Sequence, residues 1–328
     1  MRAYLAARAR VNEARDFSLL WVLGRDLPGA ATLSPADGES WPEEAARSGS
    51  DAEAAKSAAL RFSLAGVQLK FSAVKDAAGG LTVPANGMGG SWIVKLPSAQ
   101  HKSVPENEFA MMELARHVGI DVPETKLVPL SEIAGLPSDV AGLGSHAFVI
   151  KRFDRVENSV RVHIEDFAQV FGLPPSRKCE RANNEMIARV LATETSELDV
   201  AEFIRRFVFN ALIGNGDMHL KNWSLIYPDK RKAALAPAYD FVATIEYIQP
   251  ERLALNFAGT KDFVELDGAR FERFAAKAQL SSNLVANTLS QTVARFHAAW
   301  AARKDLPISK KLDEAISAHL KTVPIAKE

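Results

Sequence analysis

The sequence is poor in cysteine, has no excess charge of either sign and contains no long apolar run. Among 328 residues the only cysteine is Cys179, which excludes an internal disulfide framework and a Cys-rich zinc site. The 40 basic residues balance the 40 acidic residues, so the bulk charge does not indicate a protein that coats nucleic acid or anionic membrane. No apolar stretch approaches the roughly 20 residues of a membrane span. We therefore expect a soluble protein of a reducing compartment, the cytoplasm.

The pattern along the chain predicts three parts. The basic segment MRAYLAARAR lacks the apolar core and the cleavage site of a targeting signal, so an amphipathic helix is expected there. Residues 34–57 are rich in Ala, Glu, Ser and Gly and lack apolar periodicity, which is typical of a linker. We predict a partial N-terminal subdomain and linker over residues 1–58, a β-rich lobe over 59–153 and a helical lobe over 154–328.

The β-rich lobe is predicted from strand patterns at 67–74 and 91–97 and around Leu127 and Val149. One helix pattern, ENEFAMMELARHVG, lies between them and ends at Gly119. From Asp154 onward the pattern becomes helical, in IEDFAQVFG, NNEMIARVLA, VAEFIRRFVFNALIG and three later stretches near Phe271, Ala294 and Ala315. The expected fold class is α+β, with an antiparallel sheet and one helix in a small lobe and a helical second lobe.

The segment NGDMHLKNWSLIY, from Asn215 to Tyr227, places polar residues between an apolar helix and a short strand. Phosphoryl transfer needs a carboxylate that orients the acceptor hydroxyl and, a few residues later, an oxygen ligand for magnesium. Asp217 and Asn222 fit these two roles. Because Asn-Gly-Asp is also ordinary turn chemistry, the segment alone is equally well explained as a chain reversal.

A second segment, LAPAYDFVAT, favours the catalytic interpretation. It predicts a strand that ends at Tyr239 and places Asp240 next to the first segment, where its carboxylate would complete a magnesium site. A hairpin that presents a base, an amide and a carboxylate is the arrangement that kinases use. His219, between the base and the amide, is a candidate catalytic-loop residue, and a structural hydrogen bond within the loop explains it better than a zinc ligand.

In the β-rich lobe, IVKLP places Lys95 at the end of an apolar strand, where a buried ammonium needs an anion such as the phosphates of ATP. Glu108, at the start of the following helix, is predicted to pair with Lys95, as a helix glutamate does in protein kinases. Glu106 is the alternative partner. A carboxylate that only stabilises the helix start explains either residue equally well.

Three further segments are candidates for nucleotide contacts. RFSLAGVQLKFS, from Arg61 to Ser72, stands where a phosphate-covering loop is expected, but Gly66 is its one glycine and no GxGxxG or Walker pattern is present. VIKRFDR is expected to form the hinge, with the backbone of Lys151, Arg152 and Phe153 at the adenine edge. VHIEDFAQVFG is explained mainly as a capped amphipathic helix, with Gln169 as a possible cleft residue.

Taken in order, these segments resemble the HipA family of toxin kinases. The matching segments are SLAGVQLKFS, IVKLP, NEFAMMELARHVGIDVP, KRFDR, EDFAQVFGLPPSRKCE, IGNGDMHLKNWSL and LAPAYD. The resemblance covers Leu60 to Lys261, and the helical remainder matches in pattern. It implies a bilobed protein-kinase-like fold related to phosphatidylinositol-3/4-kinases, ATP and Mg²⁺ as cofactors, and phosphorylation of a protein serine.

The resemblance also implies a regulatory site and partners. Ser63 is similar in position to the serine that family members autophosphorylate in the phosphate-covering loop, which inactivates the enzyme. The implied substrate is an aminoacyl-tRNA synthetase, whose inhibition stops translation. The implied partners are a HipB-like helix-turn-helix antitoxin, which alone contacts DNA, and a small HipS-like protein, because the short front of this chain is similar to the HipT-like kinases of three-gene modules.

Two other functions stay open from the sequence. One is a catalytically idle partner of a DNA-binding antitoxin, although the joint presence of Lys95, Asp217, Asn222 and Asp240 argues against it. The other is a small-molecule kinase of the aminoglycoside or choline type, which also uses Asp followed by Asn. An acidic pocket on the C-terminal helices would favour that function, and the sequence after Asp240 has no clear sign of one.

Overall fold

The computed structural model describes the chain in segments. The described residues are 26–33, 69–75, 80–83, 90–98, 100–136, 142–156, 160–174, 177, 179, 181–249 and 251–327. Their strands are β1 (Lys70–Lys75), β2 (Leu81–Thr82), β3 (Trp92–Lys95), β4 (Thr125–Pro129), β5 (Ile133–Ala134), β6 (His146–Lys151), β7 (His163–Asp166), β8 (Ser224–Tyr227) and β9 (Ala234–Leu235). Their α-helices are α1 (Val104–Val118), α2 (Phe167–Val170), α3 (Asn184–Glu194), α4 (Glu197–Ile213), α5 (Gly268–Ala278), α6 (Ser282–Ala301) and α7 (Lys310–Thr322).

These elements fall into two compact units. The first contains the described residues up to Glu106 and residues 124–161, and the second contains 107–123 and the described residues from 162 onward. The division falls within α1, whereas the sequence-based division placed all of that helix in the β-rich lobe. The domain boundaries drawn from the sequence stay a prediction. Within the described residues, no helix combines the length and the apolar character that crossing a membrane requires.

The first unit is built on a six-stranded sheet in the order β4-β6-β3-β1-β2-β5. Its neighbours are antiparallel except β2 and β5, which are parallel. In β1 the buried residues Phe71 and Ala73 alternate with the less buried Lys70 and Ser72, as expected of a strand with one face on the core. The strand predictions around Leu127 and Val149 and at 91–97 are therefore confirmed as β4, β6 and β3.

A buried ionic network attaches the 26–33 segment to this sheet. The carboxylate of Asp154 accepts hydrogen bonds from Arg152 at 2.8 and 2.9 Å, from Arg155 at 2.7 Å and from the Gly29 amide at 2.7 Å. Asp26 accepts from the same two arginines at 3.1 Å. The two acids and two bases are each at most 7% exposed in their side chains. Their formal charges cancel, and this mutual compensation is what permits their burial.

The second unit is helical, as predicted, and its helices begin at side-chain caps. Asn183, Ser196, Asp267, Ser281 and Ser309 each accept a hydrogen bond from a backbone amide in the first turn of α3, α4, α5, α6 and α7. Such caps satisfy amides that have no partner within the helix. The core between these helices is aromatic, and its ring contacts include Phe207 with Phe257 at 4.1 Å and Phe203 with Trp223 at 4.7 Å between centroids.

The small antiparallel sheet β7-β8-β9 corrects two predictions from sequence. Residues 164–166 belong to strand β7 and not to a helix, because they pair with β8 and the Asp166 capping box starts α2 only at Phe167. The strand predicted to end at Tyr239 is β9, which ends at Leu235. Pro237 explains the early end, since proline has no amide hydrogen for a strand ladder.

Candidate functional site

The candidate site is a set of turns in the second unit, and it begins where α4 ends. The end of α4 is Gly214, in a left-handed conformation with φ 69°, whose amide bonds the carbonyls of Ala211 and Asn210. A Cβ atom at this position would lie 2.5 to 2.9 Å from side-chain atoms of Ile245. Glycine is therefore required by both the backbone conformation and the packing. The chain turns sharply here and leads directly to Asp217.

Asn215 connects this turn with the segment that carries Asp240. Its side chain is buried, and its Nδ2 donates to Asn210 Oδ1 at 2.7 Å and to the Asp240 carbonyl at 3.5 Å. Its Oδ1 accepts from the Asp217 amide at 3.1 Å. One amide side chain thus fixes the backbone of both predicted acidic residues.

Asn222 belongs to the same arrangement. Its Nδ2 donates to the Asp217 carbonyl at 3.2 Å, and its own amide donates to the His219 carbonyl at 2.9 Å. Because the side-chain nitrogen Nδ2 is used in the bond to the Asp217 carbonyl, the side-chain oxygen Oδ1 is the atom suited to act as a metal ligand. The side chain of Asp217 is 63% exposed, so this carboxylate is accessible while its backbone is held on both sides.

His219 supports the loop through its backbone. Its amide donates to the Asp217 carbonyl at 2.8 Å. Its Nε2 lies 3.9 Å from Asp217 Oδ1, and the imidazole is 9% exposed. A separation of 3.9 Å is too long for a hydrogen bond. The geometry therefore gives His219 a structural part in the loop, and a catalytic part stays a prediction.

Tyr239 joins the Asp240 segment to the Asn222 segment. Its hydroxyl donates to the Lys221 carbonyl at 3.0 Å and lies 2.5 Å from Ser224 Oγ, which must then be the donor in that second bond. Burial, with the nearby carboxylates of Asp240 and Asp166, raises the pKa of Tyr239, so the hydroxyl keeps its proton. Asp240 itself has φ 59°, a left-handed conformation that aspartate tolerates better than most residues. Such backbone outliers concentrate at functional sites.

The donor set fits magnesium. An amide oxygen and a carboxylate are hard oxygen ligands, and Mg²⁺ in phosphate-binding sites takes few protein ligands beside waters and substrate phosphates. Asn222 and Asp240 would be those ligands. Within the described residues, no three or more His, Cys, Asp or Glu side chains are grouped so that they could hold a metal ion. Both residue types suit a magnesium ion that is bound together with a nucleotide.

The first unit holds the predicted phosphate-binding lysine and the predicted hinge residues. Lys95 is buried at the end of β3, between β1 and β6, and its Nζ lies 5.4 Å from the Phe148 ring centroid. The Lys151 and Arg152 amides donate to the carbonyls of Glu124 and Ser91 at 2.8 and 2.7 Å. These two hinge amides are therefore already used within the protein. The Arg152 side chain belongs to the ionic network. The nucleotide contact predicted for Arg152, and for Phe153 after it, therefore involves only the backbone.

The remaining candidates differ in how they are engaged. Glu108 is buried on α1, and its pairing with Lys95 stays a prediction. The alternative, Glu106, lies 3.2 Å from His146 Nδ1. Gln169 is exposed, and its side-chain oxygen accepts from the Asp166 amide at 2.9 Å in a capping box, so the helix-cap explanation accounts for it. Ser63 and Gly66 lie outside the described residues.

Sequence reasoning missed most of the residues that hold the site together. These are Asn107, Asn210, Asn215, Tyr239 and Thr244. Asn215 stood inside the NGD segment, but its residue type also fitted an ordinary turn. Asn210 bonds to residues four and five positions away, inside an apolar helix pattern that draws no attention to it. Asn107, Tyr239 and Thr244 bond to partners 15 or more positions away, and a single sequence gives no local signal for that.

Comparison with known proteins identifies the family of this chain. The profile of the family described as the HipA-like C-terminal domain matches residues 62–300. A Sinorhizobium fredii protein named "Putative kinase Y4dM" is 56% identical to this chain over 335 residues, which cover 100% of the chain and 80% of that protein. The serine/threonine-protein kinase toxin HipA of Shewanella oneidensis is 24% identical, with 99% of the chain and 79% of the toxin covered.

A solved structure shows the same fold. In the complex of Shewanella oneidensis HipA with HipB and operator DNA, one chain matches this protein with a TM-score of 0.72 at 21% identity, over 99% of this chain and 80% of that chain. The expected bilobed kinase-like class is thereby confirmed. Since the family profile covers most of the sequence and a curated relative that is 56% identical matches the whole of this chain, the chain belongs to the HipA family of kinases.

Proposed function

We propose that this protein is an ATP-dependent protein serine/threonine kinase and the toxin of a toxin–antitoxin module. Its substrate would be a serine of an aminoacyl-tRNA synthetase, and the modification would inhibit translation. The observation that carries the proposal is the junction at Asn215, which ties the backbone of Asp217 to that of Asp240. Two acids and an amide joined in this way supply the base and the metal ligands of phosphoryl transfer.

Each residue has a defined part in the proposed reaction. Bound ATP with Mg²⁺ supplies the phosphoryl group and offsets its charge. Asp217 orients the serine hydroxyl and takes its proton as the oxygen forms a bond to the γ-phosphorus and the bond to the ADP oxygen breaks. Asn222 and Asp240 would hold the ion, and Lys95 would neutralise phosphate charge. Because the transition state needs little covalent help, positioning and charge account for most of the catalysis.

Regulation would involve Ser63. Autophosphorylation there would add negative charge beside the phosphates of ATP, which disfavours binding of the nucleotide. The proposed partners are a HipB-like antitoxin, through which the protein would reach operator DNA, and a small HipS-like protein. A HipB-like partner is supported by the likeness to HipA in its complex with HipB.

The first test is phosphoryl transfer by the purified protein. After incubation with ATP and Mg²⁺, intact mass and phosphopeptide mapping should detect phosphate on Ser63 of the parent protein and none on the Asp217→Ala variant. The Asp217 side chain is 63% exposed, so its removal should change the free energy of unfolding by only about 0.5 kcal/mol. Asp305→Ala, which removes another exposed aspartate, is the matched control and should keep full activity.

The outcomes separate the proposal from its rivals. Equal activity of the parent and Asp217→Ala would remove Asp217 from the mechanism. If the parent and both variants carry no phosphate and still bind a DNA-binding antitoxin, the protein would be a catalytically idle partner of that antitoxin. Turnover of ATP with an aminoglycoside or choline, and none with protein, would favour the small-molecule kinase. Phosphate on a residue other than Ser63 would keep the kinase and reject the regulatory site.

A further inference from the structure

Asn107 is a buried asparagine of α1 that the proposed chemistry does not use. It is 1% exposed, and its side chain bonds both backbone polar groups of one distant residue, Ala243. Its Oδ1 accepts from the Ala243 amide at 3.0 Å, and its Nδ2 donates to the Ala243 carbonyl at 3.2 Å. The same nitrogen lies 3.3 Å from Glu246 Oε2 and 3.2 Å from the Tyr247 hydroxyl. The amide thus fixes the 243–247 turn, which follows Asp240 by three residues.

The 243–247 turn in turn holds the 214–217 turn, which leads to Asp217. The Thr244 hydroxyl donates to the Gly214 carbonyl at 3.2 Å and accepts from the Gly216 amide at 2.8 Å. The Ile245 amide also donates to the Gly214 carbonyl, at 3.2 Å. A threonine hydroxyl therefore spans the two peptide units just before the candidate base. A shift of the 243–247 turn must move this base or break these bonds.

A second helix holds the same turn from its C-terminal side. Lys311 Nζ, on α7, donates to the Glu246 carbonyl at 3.0 Å and lies 4.0 Å from Glu246 Oε1. The Glu246 side chain is only 7% exposed, so its carboxylate is shared between Asn107 and Lys311. The turn is consequently fixed by two helices and linked to both candidate acidic residues.

We propose that Asn107 is a positioning residue, which sets the 243–247 turn and through Thr244 places Asp217 and Asp240 for phosphoryl transfer. This inference rests on the proposed function. A side-chain amide is suited to the role because it replaces the hydrogen bonds of a strand partner without adding charge near the acids.

A merely structural asparagine would give a different result. Asn184 provides the comparison, because it is also buried, at 3% exposure, and its Nδ2 donates to the carbonyls of Leu255 and Asn256 at 3.4 and 3.0 Å. Removing either amide should lower stability by a similar amount. Only loss of the Asn107 amide should alter the placement of Asp217, and a misplacement of about 1 Å costs roughly 100-fold in rate.

The experiment compares Asn107→Ala, Thr244→Val and Asn184→Ala in the full chain, below the melting temperature of each. Phosphoryl transfer at saturating ATP should fall about 100-fold in the first two variants, and the Mg²⁺ concentration for half-maximal rate should rise. Asn184→Ala should keep the parent values. Thr244→Val keeps the shape of the side chain and removes only the hydroxyl, so it tests the link even if Asn107→Ala does not fold.

Hydrogen exchange tests the same inference without any activity. Asn107→Ala should increase amide exchange in peptides covering 213–218 as well as 239–247, and Asn184→Ala should increase it in neither. Exchange changes confined to 243–247, or rates for the Thr244→Val variant equal to the parent, would overturn the inference. Absence of phosphoryl transfer from the parent would reject the proposed kinase instead and leave the exchange comparison as the test of the linkage.

Discussion

The two units each contain a buried polar network, and the networks differ in charge. In the first unit, Asp26, Asp154, Arg152 and Arg155 compensate one another and attach the 26–33 segment to the rest of the unit. In the second unit, the network around the candidate site is made mainly of neutral amides and hydroxyls, those of Asn107, Asn210, Asn215, Tyr239 and Thr244. Both networks join parts of the chain that are more than 20 residues apart.

The difference shows how a site can be rigid and still keep its charge available. A carboxylate in an ion pair, such as that of Asp154, has its charge already compensated. Neutral groups bond to the backbone of Asp217 and Asp240, and the Asp217 side chain is 63% exposed. In the proposed function, the charge of Asp217 is therefore accessible to the acceptor hydroxyl. Electrostatic preorganisation of this kind is the largest contribution to catalysis in many enzymes.

Breaking the charged network should have the largest effect on stability. Asp154→Ala leaves the two buried arginines, Arg152 and Arg155, with Asp26 as their only remaining carboxylate in the network. Because one buried positive charge is then uncompensated, we expect a loss of about 3–5 kcal/mol in the free energy of unfolding. Denaturant titration would measure it. A loss below about 1 kcal/mol would mean that the network does not stabilise the first unit. The Asp217→Ala variant serves as the contrasting substitution, with lost activity and nearly unchanged stability.

The same network predicts sensitivity to acid. Burial alone would raise the pKa of Asp154, but the hydrogen bonds and charges of the two arginines lower it overall from the ordinary 3.8. Because the folded-state pKa is lower than the unfolded one, the stabilisation is complete above pH 3.8 and is lost as the pH falls through the folded-state value. Melting temperatures of the parent should therefore decline in this range, and those of Asp154→Asn should decline less.

Weakening the neutral network should have a smaller effect on stability and a visible effect on the proposed activity. Tyr239→Phe removes two hydrogen bonds, which should cost about 1–3 kcal/mol. It should also raise the Mg²⁺ requirement by about 10-fold or more, since residues that orient metal ligands commonly have effects of this size. Enzyme assays across Mg²⁺ concentrations would detect the change.

Tyr227→Phe is the matched control for that substitution. The Tyr227 hydroxyl donates to Glu165 at 2.6 Å in the β7-β8-β9 sheet. Burial and the Glu165 carboxylate raise the pKa of Tyr227 to about 12, so it also stays protonated. This variant should lose stability and keep the Mg²⁺ requirement of the parent. An equal shift in both variants would show that the effect comes from general loosening and not from the placement of Asn222 and Asp240.

The smallest expected effect concerns His319, next to the end of α4. Its Nε2 lies 2.8 Å from the Ala211 carbonyl, and burial lowers its pKa from 6.5. Because the folded state disfavours the charged imidazole, stability should be complete above pH 6.5 and decrease as the pH falls below it. His319→Gln retains an N–H donor without titrating and should flatten this dependence in thermal melts.

Much of the fold could be predicted because the patterns that encode it are local. Helix α4 has a long apolar pattern, a capping box at Ser196 and a glycine at its end, and these three signals agree. Strand β2, with two residues, and its parallel partner β5 were missed, since two residues cannot display a period. Tertiary pairing decided the state of residues 164–166, which carry too short a pattern to define a helix.

The candidate site was predictable in its chemistry and not in its support. Asp217, Asn222 and Asp240 were selected because phosphoryl transfer restricts both residue type and spacing, and their roles stay a prediction. Their supporting residues follow no such restriction, and Asn107 reaches its partner across 136 positions. For Arg152 the sequence predicted only a backbone contact at the hinge, and it gave no sign that the side chain bonds Asp26, 126 positions earlier.

The close approach of Gly214 to Ile245 has a consequence for how related sequences can diverge. Any larger residue at position 214 would meet the Ile245 side chain at under 3 Å, so a change at 214 can be accepted only together with a smaller residue at 245. Even then the φ of 69° would disfavour all residues except glycine and, to a lesser degree, asparagine or aspartate. In an alignment of homologues, these two positions should therefore covary: wherever glycine is replaced at the first, the second should hold alanine or glycine, because valine keeps both γ carbons that a Cβ atom would meet.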